Sequence, residues 1–241
     1  MKKNFVFTSA GDNTNFHTLW SGDDQTYDIY VIYYGNNDDN YNLYKSKVKY
    51  IEKRSGSKFQ NFLYFYKKNP DIINQYKYFF ILDDDIIFNV NCINKMFFIA
   101  NKYKLSICGP SFGHKSKISH SITKHRSKRF LTYTNFVEVN VPLFNKPALD
   151  KLMKVLSPAL IGWGIDFLYI LVNGRHKSRA YAIIHDIKCI NPYPLKSKPR
   201  ELTLIKNCNK RGQIWRNYAK RHKLPAAFIK KEYKTIYKTK N

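Results

Sequence analysis

Acidic residues are scarce in this sequence: 17 Asp and Glu stand against 42 Lys and Arg in 241 residues, a formal net charge of +25 at pH 7. Residues 196–241 hold 15 Lys and Arg against two Glu, a net of +13, and residues 1–195 hold the remaining +12. A basic excess of this size favours polyanionic partners, which include nucleic acid, anionic membranes and phosphorylated small molecules. Charge alone does not choose among them.

Cysteines and long apolar runs are also few. The four cysteines form no CxxC pair and no zinc-ligand spacing, which is typical of reduced, partly buried thiols in a cytosolic protein. The longest apolar runs are far too short to span a bilayer, and the N-terminal residues MKKNFVFTSAGDN lack the apolar core and the cleavage site of a signal peptide. We therefore expect a cytoplasmic protein with no transmembrane segment.

The pattern of apolar residues predicts alternating strands and helices, hence a Rossmann-like α/β/α sandwich with a mostly parallel central sheet. The acid-free stretch 111–130 is predicted to be a mobile basic loop. A change to Pro- and Lys-rich sequence predicts a domain edge near residue 195, with residues 196–241 as a basic, helical C-terminal extension of the domain formed by residues 1–195. The predicted strands are 4–8, 27–35, 77–82, 105–112, 135–144 and 179–186, and the predicted helices begin near residues 57, 93, 147 and 164.

Three consecutive aspartates, Asp83, Asp84 and Asp85, follow the apolar run YKYFFIL. Side chains alternate along a strand, so Asp83 and Asp85 are predicted to point to one side and Asp84 to the other. Ligands of open α/β sheets bind beyond the carboxyl ends of the strands. Two carboxylates at that place suit Mg²⁺ or Mn²⁺, which usually bridges to substrate phosphates. The alternative is a solvated turn whose aspartates cap the next helix.

Two other stretches contain candidate ligands. Lys58 lies in the first turn of a predicted helix, where free N–H groups attract a diphosphate, although an ordinary surface lysine is the equal alternative. In GWGIDF, two glycines allow close backbone approach, Trp163 offers a platform for a sugar, and Asp166 is placed to take a proton from an attacking hydroxyl as a general base. Alternatively, Asp166 caps a helix and Trp163 lies in the core.

Three weaker signals complete the set. The turn TSAGDN after the first strand is of the kind that holds a base and ribose. The pair His185 and Asp186 ends a strand and is either a metal or phosphate contact or a structural pair. The three histidines of the 111–130 loop either contact phosphate or acceptor or belong to a solvated charge run.

The C-terminal stretch GQIWRNYAKRHKL mixes aromatic and basic side chains. Such a helix either lies on an anionic membrane surface or packs on the domain through its aromatic face. The residues concerned are Ile214, Trp215, Arg216, Tyr218, Lys220 and Arg221.

Taken together, these pieces resemble a nucleotide-sugar glycosyltransferase of GT-A fold, and specifically a family of unknown function with glycosyltransferase-like character. The resemblance extends over roughly residues 4–190, in family order, and rests on FVFTSAGDN, LW, YDIYVIYYG, GSKFQN, FFILDDDI, NFVEVNVPLF and GWGIDF. It implies that the aspartate triplet is the motif for the metal and the nucleotide diphosphate. It places the turn of Thr8, Ser9, Ala10, Gly11 and Asp12 near the nucleotide.

The resemblance also implies roles on the acceptor side. Asp166 is the candidate base or acceptor carboxylate, Trp163 and Gly164 accompany it in the substrate site, and Glu138 is an acceptor contact. GT-A enzymes often supply a late histidine to the metal, but this chain has DIKCINPYP at the corresponding place. We therefore expect either that His185 takes that role or that the triplet holds the metal alone.

The sequence thus predicts a glycosyltransferase that moves a sugar from a UDP- or GDP-type donor to an acceptor hydroxyl on a carbohydrate or glycosylated molecule, with Mn²⁺ or Mg²⁺. One alternative is a metal-dependent nuclease-like enzyme, which is less favoured because the chain has few further carboxylates to surround a metal. Nucleic acid is accordingly an unlikely partner. A third interpretation is a non-enzymatic module bound to an anionic membrane surface through the basic tail.

Overall fold

The computed structural model describes residues 3–193, 203 and 205–239, in which strands and helices alternate. The strands are β1 (Asn4–Ala10), β2 (Tyr27–Tyr33), β3 (Tyr50–Lys53), β4 (Tyr78–Asp83), β5 (Ile107–Phe112), β6 (Arg129–Thr134), β7 (Leu143–Asn145), β8 (Tyr181–Cys189) and β9 (Glu232–Tyr237). The helices are α1 (Phe16–Leu19), α2 (Asp38–Lys45), α3 (Lys58–Lys68), α4 (Pro70–Ile73), α5 (Val90–Lys102), α6 (Lys146–Val155), α7 (Ile165–Asn173) and α8 (Arg211–Arg221).

The strands form one nine-stranded sheet in the order β3-β2-β1-β4-β7-β5-β8-β6-β9. The four strands from β3 to β4 run parallel to one another, so their carboxyl ends meet at one edge. Strand β7 enters antiparallel between β4 and β5, and β8 runs parallel to β5. The last two strands, β6 and β9, continue the sheet in antiparallel pairing. The predicted parallel sheet therefore forms one half of a mixed sheet.

Two apolar layers cover the two faces of this sheet, because successive side chains of each strand point to opposite sides. Val6 and Phe80 pack on one face, with helix α5 above them. Phe5 and Phe79 pack on the other, beneath α3, α6 and α7. This is the predicted α/β/α sandwich, and it leaves the edge where β1 and β4 end as the place for polar chemistry.

Two predicted boundaries differ from the structure. Strand β6 begins at Arg129, at the end of the stretch expected to be a loop. Most of the predicted strand at 135–144 is instead an irregular segment, and only its last residues enter the sheet as β7. The segment reads as a strand because Phe136, Val137 and Val141 are buried. Burial makes a sequence apolar whether or not its backbone pairs with a sheet.

The C-terminal segment belongs to the same sheet and core, which differs from the expected appended extension. Strand β9 pairs with β6, and Trp215 of α8 is 1% exposed. The Trp215 indole N–H donates to the carbonyl of Ala226 at 2.8 Å, and Ile214 and Tyr218 pack against the same apolar layer. Helix α8 is thus a basic helix packed through its aromatic face, and its Trp215 is not available to a lipid surface. The predicted domain edge at residue 195 lies outside the described residues.

Candidate functional site

The aspartate triplet lies where β4 ends, at the carboxyl edge of the parallel half of the sheet. Asp83 and Asp85 line a cavity of about 420 Å³, whereas Asp84 is buried and its Oδ2 accepts the backbone N–H of Gly11 at 2.9 Å. The three aspartates therefore have two different roles. Asp83 and Asp85 face the space where a ligand can bind, and Asp84 fixes the turn after β1.

The same cavity contains half of the residues that the sequence singled out, namely Lys58, Asp83, Asp85, Glu138, Trp163, Gly164 and Asp166. Its walls come from the triplet, the start of α3, the basic loop, the segment between β6 and β7, the loop before α7, and the start of α8. The lining residues are Ser57, Lys58, Phe59, Asp83, Asp85, Lys117, Ser119, His120, Glu138, Val139, Asn140, Ile161, Gly162, Trp163, Gly164, Asp166, Phe167, Asn191 and Arg211.

A larger groove of about 680 Å³ lies near the opposite, amino end of β1 and β4. Its lining includes Lys3, Lys77 and Lys95 but no carboxylate or histidine. It has none of the acid–base or metal-binding groups found in the cavity beside the triplet, so we assign the chemistry to the smaller cavity.

Lys58 joins the two halves of this cavity. Its Nζ lies 2.7 Å from Asp83 Oδ1 and donates to the backbone carbonyls of Val139 at 2.7 Å and Asn140 at 3.0 Å. Burial lowers the pKa of Lys58, and the charge of Asp83 opposes that shift. A lysine ammonium has three N–H donors, and all three have acceptors within the protein. Lys58 therefore positions Asp83 and the segment before β7. This differs from the predicted role, in which its free ammonium meets a diphosphate.

The turn after β1 lies against the back of the triplet and does not line the cavity. The Thr8 hydroxyl donates to the Leu82 carbonyl at 2.9 Å. Ser9 and Ala10 are buried with it. Burial opposes ionisation of Asp12, but hydrogen bonds from Tyr33 and Asn40 outweigh it and lower the pKa of Asp12. The turn thus fixes β1 against β2 and β4 beside the site.

Glu138 is the buried carboxylate of the cavity, at 3% exposure. Burial raises its pKa to about 7, the neighbouring Asp166 acts in the same direction, and His120 acts against it. The Thr123 hydroxyl donates to Glu138 Oε2 at 3.3 Å. The hydroxyl of Tyr169 on α7 donates to the Val137 carbonyl, which holds this segment over the helix that contains Asp166. The fold thereby places two carboxylates from different elements side by side.

The raised pKa of Glu138 makes stability depend on pH in a defined direction. The folded carboxyl keeps its proton to about pH 7, whereas an unperturbed Glu has a pKa of 4.5. The folded state therefore binds more protons between these values, and its stability falls as pH rises from 4.5 to 7. Glutamine has no proton to lose, so we expect the free energy of unfolding of Glu138→Gln, measured with urea, to rise by about 2 kcal/mol relative to that of wild type from the lower to the upper end of this pH window.

Glu52→Gln is the matched control for this prediction. Hydrogen bonds from Tyr50, Tyr64 and Lys68 outweigh burial and lower the pKa of Glu52. The stability that the Glu52 carboxylate contributes is therefore lost only as pH falls below the usual pKa of a glutamate. A Glu138→Gln variant whose stability parallels wild type from pH 4.5 to 7 would contradict the raised pKa.

Asp166 lies in the first turn of α7 at 6% exposure, facing the cavity. Its Oδ2 lies 3.8 Å from His120 Nε2, and its Oδ1 accepts the N–H of Phe167 at 3.0 Å. The carboxylate therefore helps to cap the helix and also faces the site. Trp163 lines the cavity and is 55% exposed, so it is not a core residue and its ring is open to a ligand.

Gly164 is required by packing at the back of this loop. Its φ is +83°, and a Cβ added there would lie 2.1 Å from Cδ2 of Trp215. Gly162 has a similar φ of +74° but has no neighbour within 4 Å of an added Cβ. A side chain at either position would be strained by the positive φ, but only a side chain at Gly164 would also clash with Trp215.

We expect Gly162→Ala to cost about 1 kcal/mol of stability and Gly164→Ala about 3 kcal/mol or more, because only the second must displace Trp215. Urea unfolding of both variants measures the difference. Equal destabilisation would show that α8 does not pack on this loop as described.

His185 does not line the cavity. It is fully buried on β8, where its Nδ1 accepts the backbone N–H of Arg126 at 3.3 Å. Burial, followed by the charge of Arg129, lowers the pKa of His185 to about 4. Asp186 forms ion pairs with Lys95 at 2.5 Å and Lys238 at 3.1 Å. The pair is therefore structural here, and the structure does not bring His185 to the triplet.

A metal at this site would have two protein ligands. In the part of the chain that the structure describes, no three His, Cys, Asp or Glu side chains converge on a point that could hold a metal ion. Asp83 and Asp85 nevertheless both line the cavity, and paired carboxylates fit a hard cation such as Mg²⁺ or Mn²⁺ that is completed by substrate phosphates and water.

Three ionisable residues of the cavity, Lys117, His120 and Arg211, are not distinguished individually by the sequence. His120 is one of three histidines in the basic loop, and Lys117 belongs to the basic run around it. Arg211 lies at the start of α8, in the segment that was expected to be a separate extension. No local signal marks these side chains, because each reaches the cavity only through the tertiary fold.

Comparison with known proteins supports this picture of the fold. A family model described as a protein of unknown function (DUF707) matches residues 17–135, a span that includes Lys58 and the triplet but ends before Glu138 and Asp166. A search of curated proteins finds no match.

Several solved structures are similar to the chain. TarS 1–349 from S. aureus in complex with UDP-GlcNAc has a TM-score of 0.54 at 9% identity, over 90% of this chain and 65% of that one. GalNAc-T7 with UDP, GalNAc and Mn²⁺ has a TM-score of 0.57 at 11% identity, over 90% of this chain and 49% of that one. A longer TarS structure from S. aureus has a TM-score of 0.55 at 10% identity over 91% of this chain, which spans only 39% of its length.

The fold is therefore of the GT-A-like α/β class, and the resemblance found in the sequence is confirmed at that level. At sequence identities of 9–11%, these similarities are evidence for the fold and not for the function. Across the described ranges, no helix has the length and apolarity to cross a bilayer.

Proposed function

We propose that the protein is a glycosyltransferase that moves a sugar from a nucleotide-diphosphate donor to a hydroxyl of a carbohydrate or glycosylated acceptor. The observation that carries this proposal is the arrangement in a single cavity of a carboxylate pair at the end of β4, Asp83 and Asp85, with a second pair, Glu138 and Asp166. The first pair suits a diphosphate held through a cation, and the second suits proton transfer. UDP in the two structural neighbours makes a UDP-type donor the first choice over a GDP-type donor.

Asp83 and Asp85 are the residues that would hold Mn²⁺ or Mg²⁺, and GalNAc-T7 was solved with Mn²⁺. Bound there, the cation would neutralise charge on the departing diphosphate. Lys58 keeps Asp83 in place, and Asp84 keeps the turn Thr8–Asp12 against the triplet. The protein thus fixes the donor end of the site before any ligand binds, which lowers the cost of binding.

Asp166 takes the proton of the acceptor hydroxyl as that oxygen forms its bond to the anomeric carbon of the donor sugar. The bond between the anomeric carbon and the phosphate oxygen breaks, and the nucleoside diphosphate leaves with that electron pair. The N–H of Phe167 orients the carboxylate, and His120 lies 3.8 Å from its other oxygen. Below its pKa of about 7, Glu138 is protonated and can donate a hydrogen bond to the acceptor. Trp163 provides an apolar face on which a sugar ring can stack.

Donor turnover tests this function without knowledge of the acceptor. The purified protein is incubated with UDP- and GDP-sugars and Mn²⁺ or Mg²⁺, with water taking the place of the acceptor hydroxyl at the anomeric carbon, and the release of free nucleoside diphosphate is followed. We expect release from at least one donor, dependent on the cation and stopped by a chelator. No release from any donor with either metal would contradict the proposal.

A further inference from the structure

Two positively charged side chains of the cavity have no carboxylate partner in the part of the chain that the structure describes. Arg211 and Lys117 both line the wall. In the described residues, neither side chain forms an ion pair, whereas the inner lysine, Lys58, is paired with Asp83. Cations that line a cavity without a carboxylate partner are available to an anionic ligand.

Arg211 lies beside the loop that precedes Asp166 and α7. Its guanidinium carbon lies 5.9 Å from the centre of the Trp163 ring. Its helix, α8, places Trp215 directly against Gly164. A sugar that stacks on Trp163 with a hydroxyl at Asp166 would therefore have Arg211 beside it.

The backbone of Lys117 is held by Asn191, another residue that lines the cavity. Its backbone N–H donates to the Asn191 carbonyl at 2.8 Å, and its carbonyl accepts from the Asn191 side chain at 3.1 Å. Six residues further on, Thr123 donates to Glu138. The backbone of Lys117 is thus fixed at the cavity wall, on the segment that continues to the hydrogen-bond partner of Glu138.

We infer that the acceptor is an anionic saccharide, with a phosphate or carboxylate group that binds between Arg211 and Lys117 while its reactive hydroxyl lies at Asp166. This inference rests on the proposed function. The diphosphate of the donor is the other anion that these cations could serve, but its place is at Asp83 and Asp85. Arg211 instead contacts Trp163, three residues before Asp166, and Lys117 lines the same cavity on the segment that continues to Thr123, whose hydroxyl donates to Glu138. The net charge of +25 also attracts an anionic acceptor over a longer distance.

The test measures the binding of three related sugars, glucose, glucose 6-phosphate and glucuronate, by ligand-observed NMR. Each titration is made without nucleotide and again with saturating UDP and Mg²⁺, so that the diphosphate place is filled. We expect both anionic sugars to bind about tenfold more tightly than glucose in the presence of UDP. The difference between the phosphate and the carboxylate identifies which anion the site prefers.

Arg211→Gln and Lys117→Gln are expected to remove this preference while UDP affinity stays within about twofold. Arg216→Gln and Lys115→Gln are matched controls, because each removes a charge from the same helix or loop without lining the cavity. Equal binding of glucose and the anionic sugars would overturn the inference, and so would a tenfold loss of UDP affinity in the two cavity variants. If UDP does not bind at all, the proposed function fails, and the titrations without nucleotide still decide whether an anionic-sugar site exists.

Discussion

The Asp85→Asn variant is expected to fold like the wild type and to lose sugar transfer by about 100-fold or more. Asp85 lines the cavity, and its charge is one of the two that would hold a cation against the diphosphate. Replacing it by a neutral isostere removes half of that charge with little change of shape. Nucleoside diphosphate release measures transfer, and circular dichroism with urea unfolding confirms that the variant is folded.

Asp83→Asn is a less suitable variant because Asp83 is the partner of a buried lysine. Removing its charge leaves Lys58 without its counter-ion, so we expect a loss of stability of about 3 kcal/mol together with the loss of transfer. Asp71→Asn makes the same change of charge at an exposed residue outside the cavity and should alter neither property. Full transfer by Asp85→Asn would remove the triplet from the mechanism.

The Asp166→Asn variant is expected to bind UDP normally and to lose transfer by a factor of about 10² to 10⁴, the range for removal of a general base. Asparagine can keep the hydrogen bond that Asp166 Oδ1 accepts from the N–H of Phe167, so the start of α7 should be unchanged. It cannot take a proton from the acceptor. The measurement is the rate of transfer at saturating donor, beside the affinity for UDP from calorimetry.

Asp150→Asn is the matched control for Asp166. Asp150 pairs with Lys146 within α6 and does not line the cavity, so its substitution should leave the rate of transfer unchanged. If Asp166→Asn instead weakened UDP binding and transfer to the same extent, Asp166 would belong to the donor end of the site and not to proton transfer.

The sequence predicted the parts of the site that have a local signature. The apolar run before Asp83 marks a strand end. Asp83 and Asp85 line the cavity and Asp84 does not, as predicted, although Asp84 and Asp85 lie in the turn after β4 and not in the strand. The glycines on either side of Trp163 mark a close approach, although the partner in that approach, Trp215, could not be known from the pattern. Strand ends and tight turns are local features, so they are readable without the fold.

The remaining features depend on contacts that are distant in sequence. Lys58 was expected to meet a diphosphate, but its three acceptors come from β4 and from residues more than eighty positions away. The segment 135–142 was expected to be a strand because it is apolar, and its irregular path follows from contacts with Lys58 and Tyr169. Arg211 enters the site only because α8 packs on the loop before α7. In each case, contacts between residues distant in sequence determine the position of the side chain or segment, and the local pattern does not contain them.

Calorimetric titration of the purified protein with UDP and GDP, with and without Mn²⁺, beside the Asp85→Asn variant, decides whether the cavity binds a nucleotide through its carboxylates. We expect nucleotide binding that requires or is strengthened by the cation, and that is lost or weakened at least tenfold in the variant. Binding of neither nucleotide under any condition, by a protein shown to be folded, would contradict this expectation and would leave the carboxylates of the cavity to another chemistry.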